Sequence, residues 1–205
     1  MSLYFDLIEQ FGYNKTFLLK DISDENNYDS VKVQINKLVK KGLVRRYAKG
    51  IYFINNKIGA NEYYPDVSEI IEKKYLINDE KIIGYFTGNT LLNRVGLNTN
   101  KFNVLEICTN VETNIKRHTR IDFQDIVLRK PLIKITNKNV RYLQFIDIFR
   151  YCDLVDLLEN DKKGIKEFIK KNGLRQSELL KYFRYAPSKV EEYVLGSGIF
   201  EYLEP

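Results

Sequence analysis

The chain has 205 residues, with 33 Lys and Arg against 27 Asp and Glu, a net charge of +6. Charged side chains make up 29% and hydrophobic ones 44%, a globular balance that excludes a disordered chain. No apolar run approaches the roughly 18–20 residues of a membrane helix, residues 1–6 lack the basic and apolar regions of a signal peptide, and Cys108, Cys152 and His118 are too few for a disulfide framework or a zinc site, so a cytoplasmic protein with no cofactor and no metal is expected.

In chain order, Leu3, Leu7, Ile8 and Phe11 fall at helical spacing and Gly12 ends the pattern, which predicts a first helix over residues 2–11. Phe17, Leu18 and Ile22 predict a short second helix over 18–23. The polar run Asp24-Glu25-Asn26-Asn27 reads as a turn, and Asp29 or Ser30 is placed to cap a third helix. That helix carries an apolar stripe of Val31, Ile35, Leu38 and Val39. Gly42 follows where a residue tolerant of positive φ ends a helix. Residues 43–47 and 51–54 read as two strands joined by a tight turn at Ala48-Lys49-Gly50. Three helices followed by a hairpin predict a winged helix-turn-helix over residues 1–58.

Charge is concentrated in this segment. Residues 1–60 carry 10 basic and 6 acidic side chains, a net of +4, whereas 61–205 carry 23 and 21, a net of +2. Between Val31 and Gly50 stand Lys32, Lys37, Lys40, Lys41, Arg45, Arg46 and Lys49, with no acid among them. A phosphate-facing surface needs such a single-sign stretch, although a solvated basic face with no partner has the same composition. Opposite the apolar stripe, the third helix presents Ser30, Lys32, Val33, Asn36, Lys37 and Lys40. Asn pairs bidentately with adenine and Lys reaches guanine or phosphate, so Ser30, Val33, Asn36 and Lys37 are candidates to read bases. Lys40, Lys41, Arg45, Arg46 and Lys49 are candidates to hold phosphates, which adds affinity without sequence information. The alternative is a winged helix used for protein contact.

Residues 55–64 are polar and irregular and read as a linker, and Pro65 suits the first turn of a helix faced by Val67, Ile70, Ile71 and Tyr75. A second domain over 65–205 is expected. In it Thr87 opens a helix with Leu91, Leu92 and Val95 inward, and residues 103–109 form a strand. Residues 115–129 form one or two more strands, continuing through 132–135. A turn at Asn137-Lys138-Asn139 is expected to join Ile133–Ile135 to an extended Val140–Tyr142. Helices follow from Leu143 (with Leu154, Leu157 and Leu158) and near 162–171, 174–183 and 188–200. The fold class is therefore α+β.

No catalytic constellation is present. Gly84 and Gly88 belong to no phosphate loop. Asn89 and Arg94 could hold an anion or RNA, though capping and surface roles suit them better. Pro65-Asp66 with Glu72-Lys73-Lys74 has the residue types of a nuclease site on one helix, where they suit a solvated face. His118 lacks a partner for acid–base work. It lies among Lys116, Arg117 and Arg120, which with Arg129 and Lys130 make a second basic patch, or ordinary surface charge beside Asp122 and Asp125. Cys108 and Cys152 sit in apolar settings and read as buried fillers.

The run Ile35 to Arg46, closing on Lys49-Gly50-Ile51-Tyr52, resembles the N-terminal domain of AbiEi-type antitoxins of abortive-infection, type IV toxin–antitoxin systems. The likeness continues through Ile83-Gly84-Tyr85-Phe86-Thr87-Gly88 to Leu97, then Glu106 to Asn110, then Leu143 to Ile148. It covers about residues 1–155. The resemblance implies a winged helix that binds operator DNA and represses its operon. It also implies a C-terminal domain that counteracts a nucleotidyltransferase-like toxin, with no stable complex required. That toxin's own signature, a Gly-Ser start with an Asp-x-Asp pair, is absent here. A monomer or weak dimer is expected. The alternative is a stand-alone regulator whose C-terminal domain senses a ligand or dimerises.

Overall fold

A computed structural model of the chain describes residues 3–54, 64–97, 103–152 and 159–205. Residues 55–63 of the expected linker, and Leu154, Leu157 and Leu158, lie outside the described residues. The chain is α+β and divides into two units, Met1–Lys74 and Tyr75–Pro205. The division falls later than the boundary expected at Pro65, so the 64–74 segment sorts with the first unit.

The first unit runs α1 (Leu3–Phe11), β1 (Thr16–Leu18), a 3-10 turn (Leu19–Asp21), α2 (Tyr28–Lys40), β2 (Arg45–Ala48) and β3 (Ile51–Phe53). Its three strands lie in the order β1-β3-β2, all antiparallel. This arrangement is compatible with the expected winged helix-turn-helix, except that a strand and a single 3-10 turn stand in place of the expected second helix. Thr16, Phe17 and Leu18 are all buried, although β1 lies at the edge of the sheet. The Asp21 carboxylate accepts from the Leu18 amide at 2.8 Å and Ser23 Oγ donates to the Leu19 carbonyl, so the helical turn closes after three residues. Leu7, Phe17, Ile35, Val44 and Tyr52 form the centre of the core, with Phe11 and Phe17 stacked at 5.1 Å. Asp66 caps α3 (Val67–Ile71) by accepting from the Ser68 amide at 2.8 Å, and α3 runs into a π-helical turn (Glu72–Leu76).

The second unit begins with a two-stranded ribbon, β4 (Ile77–Asn78) and β5 (Lys81–Ile82). A four-stranded sheet follows: β6 (Gly84–Phe86), β7 (Val104–Thr109), β8 (Lys116–Ile121) and β9 (Gln124–Arg129), in the order β6-β7-β9-β8. β7 and β9 are parallel and the other pairs antiparallel. α4 (Gly88–Arg94) and α5 (Val140–Tyr151) pack with α6 (Glu159–Asn172), α7 (Gln176–Phe183) and α8 (Ser188–Gly196) around Phe145, Phe149, Leu179 and Val190.

The expected strand at 132–135 and the hairpin into 140–142 are not formed. Pro131 has no amide to donate, and the Asn110 side chain takes both backbone groups of Ile135, at 2.8 and 2.9 Å. Thr136 and Asn139 then exchange side-chain to amide bonds, and α5 starts at Val140.

A buried carboxylate joins β6, the start of α4 and α5. Asp147 accepts from Tyr85 Oη at 3.0 Å and Thr87 Oγ1 at 2.6 Å and pairs with Arg150 at 2.9 Å. Glu106 on β7 accepts from the Asn89 amide at 3.1 Å and pairs with Arg129 at 2.7 Å.

Gly84 lies against the Tyr75 and Cys108 carbonyls, so a Cβ there would strike backbone. Gly84→Ala should destabilise the folded chain by about 1–3 kcal/mol, read as a fall in the urea midpoint; an unchanged midpoint contradicts the close approach. Burial holds the Asp147 carboxyl above its ordinary value, against Arg150, Thr87 and Tyr85, which pull it down. An acid raised in the folded state weakens that state as pH climbs between its unfolded and folded values. Asp147→Asn has no such titration. The stability of the natural chain relative to this variant should therefore fall as pH rises from about 4. A difference that stays constant from pH 4 to 7 would contradict the assigned direction.

Candidate nucleic-acid interface

The turn before α2 is built by side chains. Asp24 Oδ1 accepts from the amides of Asn26 and Asn27, at 2.9 and 3.0 Å, and Asn27 Oδ1 accepts from the Asp24 amide at 2.9 Å. These bonds place the helix start at Tyr28, so Asp29 and Ser30, the expected caps, fall inside the first turn. At the other end the Leu43 amide donates to the Leu38 carbonyl and the Gly42 amide to that of Val39, both at 3.0 Å, with Gly42 at φ +69°. That is a Schellman ending, which turns the chain sharply toward the hairpin.

Burial of α2 is confined to one stripe. Val31 and Ile35 are buried, while Leu38 and Val39 are half-buried. Ser30, Lys32, Val33, Asn36, Lys37 and Lys40 are all exposed. Val33 is 52% exposed on that polar face, which suits an apolar contact such as a thymine methyl. The sequence reading missed one member: Asp29, also exposed, precedes Val33 by one turn on the same face. A carboxylate there repels phosphate and can accept from cytosine N4.

The wing continues the basic surface. Lys41, Arg45, Arg46 and Lys49 are exposed. Arg45 and Arg46 point in alternate directions along β2, and both are exposed. The ladder shifts by a bulge between Arg46 and Ala48, and Arg46 Nε donates to the Ala48 carbonyl at 3.4 Å. Gly50 at φ +76° completes the two-residue turn with Lys49.

The second patch is not one surface. Arg117 pairs with the buried carboxylate of Glu112 at 2.7 Å. Glu112 is pushed up by burial, but the Asn114 amide and Arg117 bring it below the ordinary carboxylate range. Arg120 lies 3.6 Å from Asp125 and donates to the Asp122 carbonyl. Lys116 and Arg120 are exposed, and alternation along β8 sends Arg117 to the opposite face. Arg129 is held by Glu106.

Asn89, Arg94 and Lys73 have structural duties. Asn89 holds Glu106, and the Arg94 guanidinium stacks 3.8 Å from the Phe86 ring centre. Lys73 Nζ donates to the Thr16 carbonyl. His118 is exposed on β8. Cys108 is buried, and burial pushes its thiol up to about 12. Among the described residues no three His, Cys, Asp or Glu side chains are grouped to hold a metal ion, and no helix is long and apolar enough to cross a membrane.

Compared with known proteins, the chain matches no family model and no curated protein.

Proposed function

We propose that this chain is a DNA-binding antitoxin of the AbiE-like, type IV kind. Its winged helix represses its own operon from the operator, and its second domain counteracts a nucleotidyltransferase toxin. The observation that carries the DNA-binding part is the exposure of every basic side chain between Val31 and Gly50, on one helix and the hairpin that follows it. A helix with a free outer face, followed by a basic wing, suits the major groove and the flanking phosphates. The antitoxin part rests on the resemblance of residues 35–52, 83–97, 106–110 and 143–148 to that family. The cytoplasm is where such a repressor works.

A second reading is a stand-alone regulator whose C-terminal domain senses a ligand. The cavity described below favours it.

A fluorescence titration of the full chain against the DNA upstream of its own gene tests the reading. If roughly five phosphates are neutralised, log K should fall with log salt at a slope of about −4 to −5. Lys37→Glu combined with Arg45→Glu should abolish binding while leaving the urea midpoint in place, since both side chains are exposed. Unchanged affinity in the double variant sinks the DNA reading. Growth rescue on co-expression with a neighbouring toxin gene separates antitoxin from regulator.

A further inference from the structure

In the second unit, α5, the sheet and residues 130–133 line a partly open cavity of about 160 Å³. Arg129, Asp147, Arg150 and Tyr151 are among its polar lining residues, and Ile115, Leu132, Ile133 and Ile146 among its apolar ones. We propose that this cavity binds a small organic monocarboxylate whose body is the size of a single ring. This inference does not rest on DNA binding.

Size sets the first limit. An apolar cavity of about 150 Å³ admits benzene, so the space here matches a ligand body of roughly six to ten non-hydrogen atoms. Charge sets the second. Arg129, Arg150 and Lys130 line the cavity, and Glu106 and Asp147 pair with the two arginines. Three cations against two carboxylates leave one positive charge, which matches a monoanion. Geometry sets the third. Glu106 engages Nε and Nη2 of Arg129, while Arg150 spends Nη1 on Asp147 and Nη2 on the Tyr185 carbonyl. These pairings do not use Arg129 Nη1 or Arg150 Nε. Guanidinium groups favour planar carboxylates.

The apolar lining residues favour an organic body over a bare ion. Ile115 is 87% exposed and Leu132 69% exposed, both at the cavity. Covering such side chains is favourable, and inorganic phosphate cannot cover them.

The test uses the full chain with isoleucine methyls labelled for NMR. Benzoate is the probe, benzamide its uncharged isostere, and inorganic phosphate the bare anion. Benzoate should shift the methyls of Ile115, Ile133 and Ile146 saturably and leave Ile35 of the first unit unmoved. Benzamide should bind at least tenfold more weakly, and phosphate should not move Ile133 or Ile146. Leu132→Glu, at an exposed position that tolerates the change, should weaken benzoate at least fivefold. Equal binding of benzamide, phosphate shifts as large as those of benzoate, unmoved cavity methyls, or full affinity in Leu132→Glu each overturn the proposal. DNA affinity is measured separately, so failure here leaves the DNA reading standing, and the converse holds.

Discussion

A carboxylate withdrawn from water must be matched by donors or neutralised, and Asp147 places that demand at the centre of the second unit. Its donors come from three elements: Tyr85 on β6, Thr87 before α4, and Arg150 one turn along α5. Satisfying one side chain therefore fixes the sheet edge, a helix start and the helix that covers the sheet. Glu106 repeats the device from β7, taking the Asn89 amide and Arg129. Removing one partner from such a set leaves an uncompensated buried group, which costs more than the bond itself contributed. Residues from the stretches 83–97, 106–110 and 143–148 meet at these two carboxylates.

The first unit solves a different problem, which is to keep a helix stable while leaving most of its circumference in water. Val31 and Ile35 supply the buried stripe, each contributing on the order of 1.5–3 kcal/mol. Side-chain bonds at Asp24 and Asn27 and the Schellman ending at Gly42 secure the two ends without using the outer face. The charged residues of that face, Lys32, Lys37 and Lys40, are exposed to water.

What was legible in the sequence followed periodicity and glycine placement. The stripe Val31, Ile35, Leu38 and Val39, the stop at Gly42, the turn at Gly50, and α4 with Leu91 and Leu92 inward are all local signals, and all stand in the structure. The exposure of Ser30, Lys32, Val33, Asn36, Lys37 and Lys40 on α2, and of Lys41, Arg45, Arg46 and Lys49 after it, followed from the same pattern. The errors came from side chains acting on distant or neighbouring backbone. Phe17 and Leu18 have helix-compatible spacing, but Asp21 and Ser23 close the turn after them. Ile133 and Ile135 have strand composition, but Asn110, 25 residues earlier, takes the hydrogen bonds of Ile135. Arg117 reads as part of a basic cluster until Glu112, five residues before it, is seen to be buried against it. The cavity was illegible because its two arginines reach it from β9 and α5, which no local spacing connects.

Charge placement separates the two candidate activities. In the proposed DNA complex the acid-free stretch of α2 and the wing acts through exposed surface cations, whose affinity rests on counterion release and decays steeply with salt. The arginines at the cavity are already matched to Glu106 and Asp147, and a ligand there is held by short-range pairing in a partly dry site that salt screens less. Any coupling between the two obeys linkage: a carboxylate that lowers DNA affinity by some factor must itself bind the DNA complex more weakly by that same factor. Such reciprocity marks a ligand-responsive regulator. An antitoxin that acts on its toxin's chemistry has no need of it, and in that case the cavity would serve its ligand independently of the operator. Raising salt weakens the first interaction far more than the second, so the two affinities can be separated on the intact chain without altering a residue.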